Sequence, residues 1–592
     1  MGDFENGDKK SGFTMKLWRG ERMCLVGFDV DQPEPDLVGF TIEVRAPGSA
    51  DFTPLYNRLA FSYDKPVADA VDGSRNFPST QAPFQKFRWI HFPWGDPKGK
   101  FVYRATKMHM PQDNKLVAGT SITLDIPLDS HFYADFLDVG FTRNFASSQA
   151  YAETFGNNPN VIPANPDDGL QFDPKPYDKQ YQWLGFEARA LMLGFLDEFI
   201  NDASVTIDAF AYDFNEPEIL QRLEQYGPRL RAIIDDSSKK KNGKVTGHGA
   251  SDSPESQCAR RLTASAGAAN VKRTHFSSLQ HNKLFIAKRK GAPFKVLTGS
   301  TNFSFRGLYI QANNVLVFDD DAVAQLYAGD FEQAFTDPGG FADAAVSKKW
   351  SAVAEPGRPK LSFCFSPHAS TDLSLSPLAG AIDQATSSVF YAVAFLNQIK
   401  SGPTFDAFKR LIGRPVFSYG VVDKGGSLEV KKPDGTIGLV DFEYLADKAP
   451  EPFKSEWSGG KGINIHHKFV VTDFSLETAK VFTGSSNLSP SGEHGNGDNL
   501  IQIEDRNIAT SYAIEAVRVF DHLHFRSVMQ DALGKKKKPA AAAKGNAKTA
   551  KAPTLPPLVL RKPTAISGAP AWFSGYYVSG TQKEHDRKLF SS

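Results

Sequence analysis

The segment IHHKFVVTDF, residues Ile465–Phe474, is an apolar strand pattern that begins with two histidines and a lysine. Alternate side chains of a strand share a face. His466 and Lys468 therefore point to one side of the predicted strand, and His467 points to the other. After a turn comes TGSSNLSPSG, which starts at Thr483 and supplies short hydrogen-bonding side chains. The pattern predicts that only one histidine of the pair, His466, shares a polar site with Lys468.

The same pattern occurs once more, upstream. LQHNKLFIAK, from Leu279, precedes KVLTGSTNFS, as NIHHKFVVTD precedes KVFTGSSNLS. In each copy the motif histidine stands 21 positions before the motif asparagine, and the copies lie 185 positions apart: His281 and Asn302, His466 and Asn487. Equal spacing in both copies indicates an internal duplication.

The flanking segments repeat as well. A buried-strand pattern at Ser204–Phe214 is followed by an amphipathic helix pattern, EPEILQRLEQYG, and a second strand pattern, RLRAIIDDS. The same order recurs in SSVFYAVAFL, FDAFKRLIG and PVFSYGVVD. Strand, helix, strand is typical of α/β folds. We therefore predict two α/β halves that pack around a pseudo-two-fold axis and share one active site.

The two ends of the chain differ from this pattern. VGFTIEVR, FVYRATKM and SITLDIPL alternate apolar and polar residues between turn-rich stretches, which is typical of a β-sandwich of fibronectin or immunoglobulin type.

A Lys-, Ala- and Pro-rich segment after Asp531 predicts partial disorder, whereas the aromatic C-terminal segment is expected to dock back on the fold. The predicted domains are the sandwich at residues 15–130, the α/β halves at residues 137–345 and 355–533, and the tail at residues 534–592.

Composition and charge limit the expected number of domains, the binding partners and the cellular compartment. A length of 592 residues predicts several domains. The formal net charge of +1 gives no general affinity for nucleic acid or anionic membrane. The 3 cysteines are far apart in sequence and exclude a disulfide scaffold. We see no secretory signal and no apolar run of about 18 residues, so we expect a cytoplasmic protein without a transmembrane segment, unless it is exported by a route that needs no such signal.

The repeated residues have the chemistry of a phosphodiester site. Lysine ammonium and asparagine amide groups suit the non-bridging oxygens of a phosphate, whose charge must be held in the transition state. Two imidazoles suit a two-step displacement, one as nucleophile and the other as acid and then base. The paired lysines take the neutralising role of a cation, and no Asp, Glu and His cluster has metal-ligand spacing, so we predict neither a metal nor another cofactor. The predicted catalytic residues are His281, Lys283, Asn302, His466, Lys468 and Asn487.

These motifs resemble those of the phospholipase D superfamily, in which His-x-Lys-x4-Asp followed by Gly-Ser-x-Asn occurs twice per active site. The second copy matches fully and includes Asp473 and Ser485, whereas the first includes Ser300 but has Lys288 where the family has Asp. In the family that aspartate is more structural than catalytic. The resemblance covers residues 137–532 and implies a metal-independent phosphodiesterase with a phosphohistidine intermediate.

The resemblance also implies a partner for each histidine. In the family an acidic residue 11 positions after the motif asparagine often orients the histidine, and the corresponding residues here are Asp498 and Asn313. We expect Asp498 beside His466, where a carboxylate favours the imidazolium. We expect Asn313 beside His281, where an amide leaves the ring neutral. On this basis His281 is predicted as the nucleophile and His466 as the general acid.

The sequence leaves the substrate open. Phospholipid hydrolysis or transphosphatidylation is favoured, as in the namesake of the family. A nuclease is the first alternative, although nucleases usually need an extended basic track, and a catalytically vestigial binding protein is the second. The lysine-rich segments Ser237–Lys244 and Lys535–Lys538 are candidate contacts with anionic lipid or nucleic acid, and solvated surface segments are the alternative for both.

Overall fold

The structure is a computed structural model, and it describes residues 3–63, 76–93, 99–129, 133, 135–144, 148–156, 158–426, 428–429, 431–441, 462–534 and 559–592. The lysine run Lys535–Lys538 lies outside the described residues, as does most of the segment predicted to be disordered.

Two antiparallel sheets form the N-terminal region, with the orders β1-β2-β3-β8 and β10-β9-β4-β5. Their alternating apolar side chains share one core, in which Phe28 of the first sheet stacks on Phe40 of the second with ring centroids 4.6 Å apart. The prediction of strands in this region is confirmed, and the fibronectin or immunoglobulin type stays a prediction. The strands are β1 (Glu5–Lys10), β2 (Phe13–Gly20), β3 (Met23–Val30), β4 (Leu37–Arg45), β5 (Thr53–Pro54), β6 (Tyr56–Asn57), β7 (Phe77–Pro78), β8 (Arg88–His91), β9 (Lys100–Gln112) and β10 (Lys115–Pro127).

A mixed sheet with helices on both faces follows. Its strand order is β11-β19-β18-β17-β12-β13-β16, with β12, β13 and β16 parallel and the remaining neighbours antiparallel. The elements are β11 (Leu137–Phe141), α1 (Ser148–Phe155), α2 (Asp178–Phe199), β12 (Val205–Ala211), α3 (Pro217–Tyr226), β13 (Leu230–Ile234), β14 (Ser238–Lys241), β15 (Lys244–Gly247), α4 (Pro254–Ala266), β16 (Val271–Arg273), β17 (Leu284–Arg289), β18 (Ala292–Gly299), β19 (Asn314–Phe318) and α5 (Asp321–Thr336).

A second mixed sheet has the order β20-β21-β27-β26-β25-β22-β23-β24, in which β22 and β23 are parallel. Residues of both mixed sheets and of the helices between them, such as Phe331 and Phe469, belong to one apolar cluster. The elements are β20 (Ser351–Val353), β21 (Lys360–Ser366), α6 (Asp372–Gln384), β22 (Ser388–Val393), α7 (Pro403–Gly413), β23 (Phe417–Val422), β24 (Leu439–Asp441), β25 (Lys468–Thr472), β26 (Lys480–Gly484), α8 (Pro490–Gly495), β27 (Asp498–Glu504) and α9 (Arg506–Gly534).

Helix α3 shows how local sequence sets these elements. The Glu216 side chain accepts a hydrogen bond from the amide of Ile219, Pro217 occupies the first turn, and Gly227 ends the helix with a φ of 54°. The predicted helix and the strands on either side of it, β12 and β13, are therefore confirmed.

The C-terminal segment packs against the rest of the fold, as the sequence predicts. Its helices are α10 (Thr564–Ser567) and α11 (Gln582–Ser591). Trp572 stacks on Phe87 of the N-terminal region with ring centroids 5.2 Å apart. Phe590 stacks on Phe474, and its carbonyl accepts a hydrogen bond from the Trp18 indole at 2.8 Å. This segment therefore joins the N-terminal sheets to the second mixed sheet.

None of the helices in the described part of the chain combines the length and apolar character that a membrane span needs.

Candidate active site

Backbone hydrogen bonds tie the motif segment of each mixed sheet to the other sheet. The amide of His281 donates to the carbonyl of Gly497 at 2.9 Å, and the amide of His466 donates to the carbonyl of Ala312 at 3.1 Å. Strands β17 and β25 begin only after these histidines. The motif histidines therefore lie where the two sheets meet, shortly before β17 and β25 begin.

Each motif histidine is hydrogen-bonded to a residue that follows the other motif. Nδ1 of His281 lies 2.7 Å from Oδ1 of Asp498, and Nδ1 of His466 lies 2.9 Å from Oδ1 of Asn313. All four side chains are buried. The expectation that Asp498 lies beside His466 and Asn313 beside His281 is wrong, because the two partners are exchanged.

The backbone pairing explains this exchange. Asp498 is the first residue of β27, and the residue before it, Gly497, is bridged to Gln280 of the other motif. In the same way, the residue before Asn313 is bridged to Ile465. The residue 11 positions after each motif asparagine therefore lies at the junction of the two sheets. There it contacts the histidine of the other motif copy.

Ser300 holds the partner of His466 in place, whereas Ser485 accepts a hydrogen bond from the backbone amide of Asn499 at 3.0 Å. Oγ of Ser300 donates to Oδ1 of Asn313 at 2.9 Å, and Nδ2 of Asn313 donates to the carbonyl of Gly307 at 2.9 Å. The amide oxygen of Asn313 therefore faces His466, whose Nδ1 must carry the proton of their hydrogen bond. Nε2 of His466 is then the ring nitrogen that remains for chemistry.

The motif glycines are required by the backbone around them. Gly299 and Gly484 have φ values of 143° and 131°. A Cβ added at either position would lie 2.4 Å from a neighbouring carbonyl oxygen, that of Asn314 or Asn499. These glycines allow close contact with the segments that follow the histidine partners, Asn314 and Asn499.

The two motif lysines are buried next to their histidines. The ammonium of Lys283 donates to the carbonyl of His281, and the ammonium of Lys468 lies 3.0 Å from Nε2 of His466. Burial lowers the pKa of Lys283 to about 8, although the nearby Asp498 carboxylate opposes that shift. Burial and the Lys283 charge lower the pKa of Lys468 well below its usual value. The charge of Lys283 disfavours that of Lys468 in this buried region, and an anion nearby would stabilise both.

The two histidines are both favoured in the neutral form. Burial lowers the pKa of His281, and the Asp498 carboxylate partly opposes the shift. Burial and the charges of Lys468 and Lys283 lower the pKa of His466 well below its usual value. A positive charge on His281 also lowers the pKa of His466.

The motif asparagines present unpaired oxygen atoms in this region. Nδ2 of Asn302 donates to Oδ2 of Asp213 at 2.6 Å. The buried Oδ1 atoms of Asn302 and Asn487 have no hydrogen-bond partner among the described residues. Asp213 therefore orients Asn302, a contact that the spacing of the motifs did not indicate.

Three other residues singled out in the sequence lie away from the histidine pair. Asp473 accepts the backbone amides of residues 386–388 at 2.7 to 3.1 Å and fixes the start of β22. Lys288, at the corresponding position of the first copy, pairs with the Asp208 carboxylate instead. His467 is buried on the other side of its segment, with Nε2 2.8 Å from Oε1 of Glu515. Each has a structural partner.

A polar cavity of about 790 Å³ adjoins the site at Asp213. Its wall carries more carboxylates than cations: Asp167, Asp168, Asp213, Asp252 and Glu255 against Lys244, His248 and Arg306. The lysine-rich segment forms part of this wall as the hairpin β14–β15, with Asn242 and Gly243 at positive φ in its turn. The sequence indicated only a loop here.

A histidine that the sequence did not single out lies in the same wall. Nδ1 of His248 is 2.8 Å from Oδ2 of Asp235, and Nε2 is 3.1 Å from Oδ1 of Asp213. Burial disfavours its charged form, but the hydrogen bonds to Asp213 and Asp235 raise the pKa of His248 to about 10. Glu255 lies on the same side, with Oε1 3.8 Å from Nε2. The sequence did not indicate this cluster, because Asp213 and Asp235 are not close to His248 along the chain.

A comparison with protein families finds one match within this region. Residues 196–335 match the family model described as "Cardiolipin synthase, PLD-like domain", where PLD denotes phospholipase D. The matched residues run from the end of α2 to the end of α5 and include the first motif copy. This match supports the phospholipase D superfamily and its phosphodiester chemistry. No curated protein matches the chain.

Solved structures show weaker likenesses. Phosphatidylserine synthase of Haemophilus influenzae is 14% identical, with a TM-score of 0.39 over 58% of this chain and 90% of that chain. Polyphosphate kinase of Porphyromonas gingivalis is 9% identical, with a TM-score of 0.37 over 81% and 73%. Nuc of Salmonella typhimurium, a phospholipase D family member, is 22% identical, with a TM-score of 0.18 over 25% and 85%. Because all three TM-scores lie below 0.5, none of these likenesses establishes the fold by itself.

Proposed function

We propose that this protein is a metal-independent phosphodiesterase that hydrolyses phospholipids or transfers their phosphatidyl group through a phosphohistidine intermediate. The observation that carries the proposal is the exchanged pairing of the two buried motif histidines with Asp498 and Asn313. That pairing supports a single site to which both motif copies contribute an imidazole and a lysine ammonium group. Both halves of the duplicated motif then contribute to a single phosphate-binding centre.

The proposed reaction has two displacements at phosphorus. Nε2 of His281 attacks, the bond from phosphorus to the leaving oxygen breaks, and Nε2–H of His466 gives its proton to that oxygen. His466, now neutral, then takes a proton from water or an incoming alcohol. The resulting oxygen nucleophile attacks phosphorus and breaks the N–P bond, which returns both histidines to their starting states.

The position of Asp498 supports His281 as the nucleophile, for a different reason from the one drawn from the sequence. A nucleophilic imidazole gains a positive charge as the N–P bond forms, whereas an acidic imidazole loses its charge in the same step. The carboxylate of Asp498 therefore stabilises the transition state most when it is paired with the nucleophile. The negative charge of a bound phosphate favours the proton on His466 that the acid must carry.

The two lysines supply the charge that a metal ion provides in other phosphodiesterases. Lys283 and Lys468 are buried beside the histidines, and their lowered pKa values show that two ammonium groups are costly there without an anion. A phosphate between them removes that cost, so substrate binding and charge neutralisation occur together. This arrangement supports chemistry without a metal at the reacting phosphorus.

The cavity beside the site supports a phospholipid over a polynucleotide. Five carboxylates line its wall, and a nucleic acid strand that crossed it would bring further phosphates against them. A single phosphodiester with a polar head group meets no such repulsion. A nuclease remains the second candidate because the exposed hairpin β14–β15 carries Lys239, Lys240, Lys241 and Lys244, which favour a polyanion.

The proposal is tested by assaying the purified protein on vesicles of phosphatidylcholine or cardiolipin and on single- and double-stranded DNA and RNA. We expect head-group release from lipid that is lost in the double variant His281→Ala/His466→Ala, which is the matched control for contaminating activities. Cleavage of nucleic acid without lipid turnover would reject the lipid substrate. A lack of turnover on every substrate would favour a binding protein with a vestigial site.

A further inference from the structure

We propose that Asp213, His248 and Glu255 form a binding site for one divalent transition-metal ion, Zn²⁺ or Mn²⁺, in the wall of the cavity beside the motif residues. The site is separate from the reacting phosphorus, and the proposal does not rest on the function proposed above. It follows from the geometry, charge and accessibility of these three side chains.

The three ligand atoms already have nearly the spacing of a metal site. Nε2 of His248 lies 3.1 Å from Oδ1 of Asp213 and 3.8 Å from Oε1 of Glu255, and all three atoms lie within 4.8 Å of one another. Ligands bound at about 2.1 Å in a tetrahedral arrangement are about 3.4 Å apart. Small side-chain movements therefore place all three around one ion.

Asp235 prepares His248 for this role. Its buried carboxylate accepts the hydrogen bond of Nδ1 of His248 at 2.8 Å and is itself held by the amide of Ser237 at 3.0 Å. This fixes the ring so that Nε2 faces Asp213 and Glu255. A carboxylate behind the ring is the usual second contact of a metal-binding histidine. Binding of an ion at Nε2 requires that this nitrogen carry no proton.

The charge of the cluster favours a divalent ion. The carboxylates of Asp213, Asp235 and Glu255 surround the imidazole of His248. Two guanidinium groups lie nearby: that of Arg273 donates to the carbonyl of His248 at 2.6 Å, and Arg306 lines the same cavity. The three carboxylates outnumber these two cations, so the cluster attracts a positive ion.

The ligand types and the cavity narrow the choice of ion. All three residues line the cavity of about 790 Å³, so an ion and the waters that complete its coordination have a path to the site. Mg²⁺ and Ca²⁺ prefer oxygen ligands throughout, whereas imidazole suits Zn²⁺ and carboxylates suit Mn²⁺. Two carboxylates with one imidazole therefore favour Zn²⁺ or Mn²⁺.

Metal binding is measured on the full chain after treatment with a chelator and dialysis. Separate calorimetric titrations with Zn²⁺ and Mn²⁺ should show saturable binding of one ion per chain for at least one metal, without competition from Mg²⁺. Glu255→Gln and His248→Gln should weaken binding more than about 100-fold, and Asp235→Asn by about 10- to 100-fold. The matched control is His275→Gln, because Nδ1 of His275 is likewise 2.6 Å from an aspartate, Asp236, but the pair is half-exposed. The control should bind normally.

Crystals soaked in Mn²⁺ give a second measurement, with an anomalous peak expected between the three side chains. If neither metal binds the wild-type chain in a saturable manner, or if the near-isosteric Glu255→Gln variant binds as tightly as the control, the proposal is wrong. His248 is then an imidazolium that serves only to join Asp235 to Asp213.

Discussion

Asp498→Asn is the perturbation that tests the assignment of the histidines most directly. Oδ1 of Asp498 lies 2.7 Å from Nδ1 of His281, and the exposed fractions of the two side chains are 1% and 3%. The variant keeps the shape and removes the charge. A hydrogen bond to a charged group contributes about 1.5–3 kcal/mol. If that contribution is made as the phosphoimidazolium forms, the rate of phosphohistidine formation should fall by about 10- to 150-fold.

The assay is rapid quench with a substrate labelled at phosphorus, followed by mapping of the trapped phosphate. We expect slow labelling of His281 in Asp498→Asn and normal labelling in Asp473→Asn. The latter is a matched control, because the Asp473 carboxylate accepts backbone amides at the start of β22 and is remote from the reaction. Phosphate trapped on His466 would refute the assignment. A normal labelling rate in Asp498→Asn would refute the role given to the carboxylate.

Three further predictions follow from the same site. Replacing His281 or His466 with Ala should each lower kcat/KM by at least about 100-fold, and near-normal turnover of either variant would contradict a two-histidine mechanism. Treatment with a chelator should leave turnover within about 10-fold of the untreated enzyme, since Lys283 and Lys468 neutralise the phosphate; complete loss of activity, restored by a metal, would contradict this. The melting temperature should fall as the pH is lowered from about 6.5 to about 5, because burial lowers the pKa of His466 and of His467 in the folded state, so that the unfolded chain binds more protons over this range. A double variant with Gln at both positions is the control and should show a shallower dependence.

The elements could be predicted from the sequence because their signals are local. Helix α3 has a capping residue, a first-turn proline and a terminal glycine, and β12 is a mostly apolar segment that precedes it. The exchange of histidine partners could not be predicted in this way. Asp498 and Asn313 occupy equivalent positions in their own motifs, and only the bridges from Gly497 to Gln280 and from Ala312 to Ile465 show which histidine each one meets.

The cluster around His248 was missed for a related reason. Metal-ligand motifs are recognised when the ligands are close in sequence, as on one helix or one turn. Asp213 follows β12, His248 follows the hairpin β14–β15, and Glu255 lies in the first turn of α4. None of the three residues has a local sequence pattern that indicates a metal ligand. The parallel pairing of β12 with β13 and the return of the hairpin bring them to one wall.

The exchanged contacts make each motif copy depend on the other. Each half supplies a histidine and a lysine, but the group that orients each imidazole comes from the other half. A half on its own has a histidine without its partner. In the first half, Ser300 holds Asn313, which contacts the histidine of the second half. A substitution of Ser300 should therefore disturb the orientation of His466, through Asn313, more directly than that of His281. Because Asn313 and Asp498 differ in charge, the pairing also makes the two imidazoles chemically unequal within a repeated motif.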